Sequence, residues 1–206
     1  MKIISGGQTG VDRAALDAAI ESGLSHGGFV PKGRLAEDGP IAGTYSLIET
    51  QSADYTLRTK MNVLAADATL ILFRGPLVGG TKYTSLLCGW HKKPQYLINL
   101  EQMGATMSLV KAKNFLAVHK PKILNVAGPR ESTCMGIYKE AKIVLLRLFS
   151  RTVSVVFVFI VFFTLPLGAA ASQAQPGPRS SAQGAEGCFR SLEKDGKGFL
   201  DLAGGY

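Results

Sequence analysis

Apolar segments and helical patterns alternate along residues 1–150, and this alternation constrains the fold more than any other feature of the sequence. The segment 68–73 is a nearly continuous apolar run, which is typical of a strand covered on both faces of a parallel sheet. Further strands are predicted at residues 2–5, 27–30, 95–100 and 123–127, and helices at residues 11–23, 54–64, 81–91, within 104–119 and at 132–149. The alternation predicts an α/β fold with a parallel sheet and helices on both faces.

The first strand runs into a loop with three glycines that opens the first helix. Its residues are Gly6, Gly7, Gln8, Thr9 and Gly10. Glycines allow close approach to the backbone, and free N–H groups at a helix start suit a phosphate or another oxyanion. The hydroxyl of Thr9 and the guanidinium of Arg13 are candidate partners of the same anion. The spacing matches neither common nucleotide-binding glycine motif, so it does not identify the ligand.

Two further turns at predicted strand ends resemble the first in composition. One contains Gly79, Gly80 and Thr81, and the other runs from Gly128 through Arg130 and Glu131 to Ser132. The carboxyl ends of parallel strands meet at one edge of a sheet, where ligands usually bind. The three turns therefore predict a phosphate-type site, and Ser132 is also predicted to cap the last helix.

Local patterns give more detail for two helices and one loop. The first helix is predicted to bury a narrow face of Val11 and alanines, and Gly23 is predicted to end it. The second helix is predicted to be capped by Ser52 or Asp54 and to bury Tyr55, Leu57, Met61 and Leu64. Residues 35–53 have no clear period and are predicted to form a long ordered loop.

Charge and cysteine content narrow the class of partner. The net charge is +8, and residues 1–150 carry 18 Lys and Arg against 11 Asp and Glu. A moderately basic domain suits an anionic small molecule, and without a basic run longer than Lys92-Lys93 nucleic-acid binding is not predicted. The cysteines Cys88, Cys134 and Cys188 indicate a reducing compartment, and neither they nor the three histidines have metal-site spacing.

Five ordered motifs resemble the molybdenum carrier (molybdenum-cofactor carrier) family of the SLOG superfamily. These are the segment Ser5–Asp17, the segment 31–40 with Pro31-Lys32-Gly33-Arg34, the segment Ser52–Tyr55, the segment Arg74–Thr81, and the segment Leu124–Ser132 with Gly136-Ile137-Tyr138. The resemblance covers residues 1–150. It implies a Rossmann-like domain, often oligomeric, that binds a phosphorylated ligand.

The resemblance names molybdenum cofactor as the candidate ligand. This cofactor is a pterin that bears a phosphate and a dithiolene-held metal oxide, so its carrier needs oxyanion donors and cations. Gly6, Gly7, Gln8, Thr9 and Gly10 would form one cradle and Gly79, Gly80 and Thr81 a second. Arg13, Lys32, Arg34 and Arg130 would supply positive charge.

Each charged candidate also has a purely structural interpretation. Arg13 has Asp17 one helical turn away, and Arg130 is adjacent to Glu131. Lys32 and Arg34 lie in a loop that solvent would reach. Asp12 lies in the first helical turn, where the helix dipole favours a carboxylate, or it binds a metal or a hydroxyl group.

The alternative function is an enzyme similar to the SLOG phosphoribohydrolases, which cleave the N-glycosidic bond of nucleoside monophosphates, or a sensor of a nucleotide ligand. The signature of the phosphoribohydrolases resembles P-G-G-x-G-T-x-x-E. In this sequence Thr84 stands at the position of the glutamate. Glycoside cleavage needs a well-placed carboxylate. Glu131 and Asp38 remain candidates for that role, but no catalytic residue is predicted.

Residues 151–206 fall outside the resemblance. Residues 152–171 carry no charge and are long enough to cross a bilayer, while their flanks also resemble a secretory signal with a cleavage site. A membrane anchor, a gene fusion or frameshift, and a packing element remain open for the apolar segment 151–172. Residues 173–206 are predicted to be a flexible low-complexity tail. The domain is predicted to be cytoplasmic and homo-oligomeric, with membrane association if residues 152–171 form an anchor.

Overall fold

A computed structural model describes residues 1–101 and 105–150 of the chain. The elements follow one another as β1 (Lys2–Ile4), α1 (Val11–Glu21), β2 (His26–Gly27), β3 (Phe29–Val30), β4 (Leu35–Ala36), β5 (Gly39–Pro40), β6 (Ile48–Glu49), α2 (Tyr55–Ala65), β7 (Ala68–Phe73), α3 (Gly79–Trp90), β8 (Gln95–Asn99), α4 (Ala105–His119), β9 (Ile123–Ala127) and α5 (Ile137–Phe149).

Five strands form a parallel sheet in the order β2-β1-β9-β7-β8. The central strands β9 and β7 are paired with Leu124 opposite Ala68 and Val126 opposite Leu70. All five strands point the same way, so the loops after β1, β7 and β9 leave the sheet at one edge. The parallel sheet with helices around it confirms the predicted α/β, Rossmann-like fold.

Two apolar clusters lie on the two faces of the sheet. Leu70 and Leu72 of β7 belong to the large cluster, which α1, α4 and α5 cover. Ile71 lies between them and therefore points to the other face. There Val63 of α2 packs with residues of α3 in a smaller cluster. The strand run 68–73 is apolar because helices cover it on both sides.

The narrow face of α1 is confirmed. Val11, Ala14, Ala15, Ala18 and Ala19 are all fully buried. Small side chains allow α1 to lie close to both the sheet and α5. The helix ends at Glu21, and the N–H of Gly23, which has a φ of 66°, donates to the Ile20 carbonyl.

The buried face predicted for α2 is only partly right, because Tyr55, Leu57 and Met61 are half-buried. Thr59, Asn62 and Val63 are buried instead, whereas Leu64 is 41% exposed. The reason is polar: the side-chain amide of Asn62 pairs with both the N–H and the carbonyl of Phe29, each at 2.9 Å. This contact turns α2 toward β3. The predicted cap of α2 is Asp54, which accepts a hydrogen bond from the Thr56 N–H at 2.8 Å.

Three other local predictions need correction. The strand predicted at 27–30 is divided into β2, which pairs with β1, and β3, which pairs with β6. The loop predicted at 35–53 contains the antiparallel pair β4–β5 and the strand β6. Ser132 does not cap the last helix: α5 begins at Ile137 after Gly136, because residues 131–136 form turns.

Within residues 1–101 and 105–150, no helix has the length and apolar character needed to cross a membrane. The predicted anchor or signal at 152–171 and the predicted tail at 173–206 lie outside the described residues.

Candidate functional site

A cavity of about 300 Å³ lies where β1, β7 and β9 end. Gln8 and Asp12 line it from the first loop and helix, and Gly79, Gly80 and Thr81 line it from the start of α3. Gly128 and Arg130 line it from the loop after β9. The fold thus brings residues from all three predicted glycine-rich turns to one cavity.

The start of α3 presents free backbone donors to this cavity. The first backbone hydrogen bond of the helix is donated by the Lys82 N–H to the Val78 carbonyl at 3.2 Å. Among the described residues, nothing accepts a hydrogen bond from the N–H groups of Gly79, Gly80 or Thr81. Free N–H groups at a helix start, together with the helix dipole, form an anion site.

Three side-chain donors around the same cavity also have no acceptor among the described residues. They are Nε2 of Gln8, Nε of Arg58 and Nε of Arg74, all of them buried atoms. Buried N–H groups without an acceptor are uncommon in folded proteins because each one costs free energy. Gln8 itself is only 4% exposed. These unpaired donors belong to residues that line the cavity, and an oxyanion is the kind of ligand that could accept hydrogen bonds from them.

Asp12 adds one buried carboxylate to the cavity wall. It is 3% exposed, and its Oδ2 lies 3.1 Å from Nη1 of Arg58. Burial raises the pKa of the Asp12 carboxyl, although the charge of Arg58 and the hydrogen bond from the Gln8 N–H act in the opposite direction. A side chain at Gly6 would collide with the Arg58 guanidinium, so this glycine allows the ion pair to form.

Two donors in and next to the first glycine-rich loop already have acceptors within the chain. The Val11 N–H at the start of α1 donates to the Pro129 carbonyl at 3.2 Å, and the Thr9 N–H donates to Oε1 of Gln8 at 3.0 Å. Gly10 has a φ of 72° and touches the loop after β9. Gly7 contacts apolar side chains rather than the cavity. Of this loop and the first turn of α1, only Gln8 and Asp12 line the cavity.

Glu37 connects the first glycine-rich loop with the loop after β9. Its carboxylate accepts hydrogen bonds from the hydroxyls of Thr9 and Ser132 and from the Ser132 N–H at 3.1 Å, and it lies 3.8 Å from Nε of Arg130. Burial alone would raise the pKa of Glu37, but these hydrogen bonds and the charge of Arg130 outweigh burial and lower the pKa. Arg130 pairs with Glu37 and not with its neighbour Glu131.

Two of the arginines predicted to contact the ligand instead form hydrogen bonds with acceptors of the chain itself. Arg13 forms two hydrogen bonds of 3.2 Å with the Asp38 carboxylate, in place of the predicted pair with Asp17. The Arg34 guanidinium donates to four backbone carbonyls, those of Ile41, Ala42, Tyr45 and Leu47. Arg34 therefore organises its own loop rather than lying in solvent.

The remaining predicted residues lie apart from the cavity. Lys32 is exposed, and the Glu131 carboxylate accepts hydrogen bonds from the N–H groups of Gly136 and Tyr138 at the start of α5. A second, open pocket of about 440 Å³ lies on the other side of the first loop, lined by Thr9, Gly10, Arg13, Asp17, Asp38, Tyr45, Glu131, Tyr138 and Lys139. Asp38 and Glu131, the predicted alternatives for a catalytic carboxylate, line this second pocket.

Sequence reasoning missed two cations of the cavity. Arg58 reaches it from α2, one helical turn after Tyr55, and Arg74 follows the last residue of β7. Arg74 also forms an ion pair of 3.4 Å with Glu140. Its position directly after a central strand is a signal that could have identified it. Arg58 carries no such signal, because only the packing of α2 brings it to the cavity.

The cavity wall also contains Thr84 and Cys134. Thr84 stands at the motif position of the hydrolase glutamate but offers no carboxylate, and its hydroxyl donates to the Gly80 carbonyl at 2.9 Å. No group of three or more His, Cys, Asp or Glu side chains suited to a metal ion occurs within residues 1–101 and 105–150.

The chain resembles one protein family and one solved structure. The pattern of the circularly permutated YpsA SLOG family matches residues 3–149. A 1.45 Å crystal structure named "Putative molybdenum carrier protein", from Syntrophus aciditrophicus SB, is 44% identical in sequence, with a TM-score of 0.70. That match covers 72% of this chain and 94% of the other. No functionally curated protein gives a significant match.

Proposed function

The chain belongs to the circularly permutated YpsA SLOG family, and from this premise we propose that it is a carrier that binds a phosphorylated small molecule in the cavity at the strand ends. The observation that carries the proposal is the set of unpaired donors around one cavity: the free N–H groups of Gly79–Thr81, and buried N–H groups of Gln8, Arg58 and Arg74. A phosphate accepts several hydrogen bonds at once and would satisfy them together.

We further propose molybdenum cofactor as the ligand. The name of the 44% identical relative supports this choice, and so does the donor set, since the cofactor offers oxyanion acceptors at its phosphate and at its metal oxide. The N–H groups of Gly79–Thr81 would hold the phosphate, and Arg58, Arg74 and Arg130 would supply positive charge. The cavity volume of about 300 Å³ lies at the lower end of small-molecule pockets.

Gln8 allows a direct test with inorganic phosphate as the probe. Oε1 of Gln8 accepts hydrogen bonds from the N–H groups of Thr9 and Glu37, whereas Nε2 is unpaired. Gln8→Glu keeps the acceptor and replaces the free donor with negative charge. We expect phosphate to bind the full-length variant more than about tenfold more weakly than wild type, as followed by NMR titration, because like charges would then face each other.

The matched control is Gln51→Glu, which makes the same charge change at an exposed position. It should leave the affinity for phosphate close to that of wild type. If Gln8→Glu and wild type bind phosphate equally well, or if wild type does not bind phosphate, the proposed cavity is not the anion site.

One observation favours a second candidate function, hydrolysis of the N-glycosidic bond of nucleoside monophosphates. Asp12 is a buried carboxyl in the same cavity, and burial raises its pKa, which suits proton donation to a leaving base. Incubation with nucleoside monophosphates would then release free base, and Asp12→Asn would abolish the release. The carrier proposal expects no free base from either protein.

We also propose that the protein is cytoplasmic and that it self-associates. Support for self-association comes from an apolar stripe on α3, where Leu86 is 43% and Trp90 is 66% exposed. Tyr83 packs edge-on against Trp90 on the same helix, at a ring-centroid distance of 6.4 Å.

A further inference from the structure

Tyr55 connects two arginines of the cavity that come from different parts of the chain. Cζ of Arg58 lies 5.9 Å from the centroid of the Tyr55 ring, and Cζ of Arg130 lies 5.7 Å from the same centroid. Arg58 belongs to α2, whereas Arg130 follows β9, more than 70 residues later. Both arginines line the cavity. A single ring is thus the common neighbour of two cations.

The capped start of α2 holds the backbone at Tyr55. Asp54 accepts a hydrogen bond from the Thr56 N–H at 2.8 Å, and the Asp54 N–H donates to the Ser52 hydroxyl at 3.1 Å. One turn later, the Thr59 hydroxyl donates to the Tyr55 carbonyl at 2.8 Å. The segment Ser52–Tyr55, which had no role in the anion site, therefore gives the side chain of Tyr55 a defined starting point beside the two arginines.

Two guanidinium groups near one small cavity repel each other, and long arginine side chains lose entropy when they are held in one conformation. Carboxylates offset part of the charge: Asp12 lies 3.1 Å from Arg58, and Glu37 lies 3.8 Å from Arg130. The ring offers its negative face to both cations without adding a formal charge that would repel an anion. A third carboxylate would also offset the repulsion between the arginines, but it would repel the anion that the site is proposed to bind, whereas the neutral ring does not.

We propose that Tyr55 is a positioning residue that holds Arg58 and Arg130 at the cavity, ready for a phosphate-bearing ligand. The inference rests on the proposed function, since it assumes that the cavity binds an anion. Arg130 depends most on this contact, because its side chain is 41% exposed, against 14% for Arg58. A cation held before binding loses less freedom when the ligand arrives.

The test compares Tyr55→Leu with Tyr55→Phe in the full-length chain, using inorganic phosphate as the probe. Leucine removes the ring, whereas phenylalanine keeps the ring and removes only the hydroxyl. We expect Tyr55→Leu to weaken phosphate binding about fivefold and Tyr55→Phe to stay within about twofold of wild type. Tyr45→Leu is the matched control, because it removes a similar contact, with Arg13 at 5.6 Å, outside this cavity.

A second measurement reports the positions of the arginines without any ligand. The side-chain NMR signals of Arg58 and Arg130 should be displaced by the ring current in wild type and in Tyr55→Phe, and this displacement should be absent in Tyr55→Leu. Equal phosphate affinity of Tyr55→Leu and wild type would overturn the proposal, as would equal weakening by leucine and phenylalanine. Failure of the proposed function is recognised separately, by absence of phosphate binding in wild type, and it would overturn this inference as well.

Discussion

Each arginine around the cavity already has a carboxylate partner within the chain. Asp12 pairs with Arg58, Glu140 with Arg74 and Glu37 with Arg130, at 3.1, 3.4 and 3.8 Å. The positive charge of the three arginines is therefore partly offset before an anion binds, and Asp12 is the partner carboxylate that itself lines the cavity. A bound phosphate would therefore contact arginines that are already paired with carboxylates. We therefore expect the choice between different anions to depend on the geometry of the hydrogen-bond donors more than on the net charge of the cavity.

Glu37 gives a pH-dependent prediction at the residue scale. Its folded-state pKa is lowered below the ordinary value of 4.5, so the folded protein favours the ionised form. The resulting stability is fully present above that value and is lost as the pH falls through the folded-state pKa. We expect Glu37→Gln to lower the free energy of unfolding by about 1–2 kcal/mol at neutral pH, because charge-assisted hydrogen bonds are lost.

Denaturant unfolding of both proteins at several pH values checks this prediction. The difference between wild type and Glu37→Gln should shrink as the pH falls below about 4.5. A difference that stays constant over this range would show that the carboxylate charge does not link the two loops.

At the scale of elements, the glycine-rich turns differ in the contacts that they make. The turn after β1 contacts the loop after β9, whereas the turn after β7 leaves the first N–H groups of α3 free. Similar sequence patterns therefore make different contacts, and only the packing of the loops against one another distinguishes them.

Gly10 and Gly23 provide a matched pair for the packing role. Their φ values are 72° and 66°, but a side chain at Gly10 would lie 2.8 Å from the Glu131 N atom, whereas nothing lies within 4 Å at Gly23. Gly23→Ala should cost about 1–2 kcal/mol for the left-handed backbone alone. Gly10→Ala should cost at least about 1–3 kcal/mol more, because the ψ of −131° at Gly10 lies outside the left-handed helical region and because the new side chain also forces two loops apart. Equal losses in thermal or denaturant unfolding would contradict the packing role.

Gly80 and Gly89 of α3 provide a matched pair for the binding role. A side chain at either position meets nothing within 4 Å, but only Gly80 lines the cavity. Alanine favours helix at both sites, so neither substitution should destabilise the fold. We expect Gly80→Ala to weaken phosphate binding roughly tenfold by crowding the anion, and Gly89→Ala to leave binding unchanged. Unaltered binding by Gly80→Ala would remove the start of α3 from the site.

The order and type of the long elements could be predicted because local pattern determines them. The run 68–73 and the alanine face of α1 are examples. Contacts between distant segments could not be predicted in this way. Asn62 orients α2 through the backbone of Phe29, and Arg58 reaches the cavity only as a result. The position of Gly79, Gly80 and Thr81 at the end of β7 follows from the sequence, and these residues line the cavity. The partners of Arg13 and Arg34 could not be predicted, because they depend on the path of the loop 35–47.

At the scale of the whole molecule, the strand order brings three loops to one cavity and leaves the apolar stripe of α3 exposed. If this stripe forms a contact between copies, Trp90→Glu should shift the full-length protein toward monomer in sedimentation experiments, because burial of a new charge opposes association. Val118→Glu is the control, since Val118 is 75% exposed on a different helix. The same association state in wild type and Trp90→Glu would exclude the stripe as the contact.

The most direct test of the carrier proposal is the composition of the protein as it leaves the cell. The full-length chain would be purified gently from a molybdenum-replete host and weighed by native mass spectrometry, with phosphorus and molybdenum measured per chain. We predict an adduct of pterin size that contains both elements in wild type and is absent from Gln8→Glu. A nucleotide-sized adduct without molybdenum, or an adduct that Gln8→Glu retains in full, would contradict the proposal.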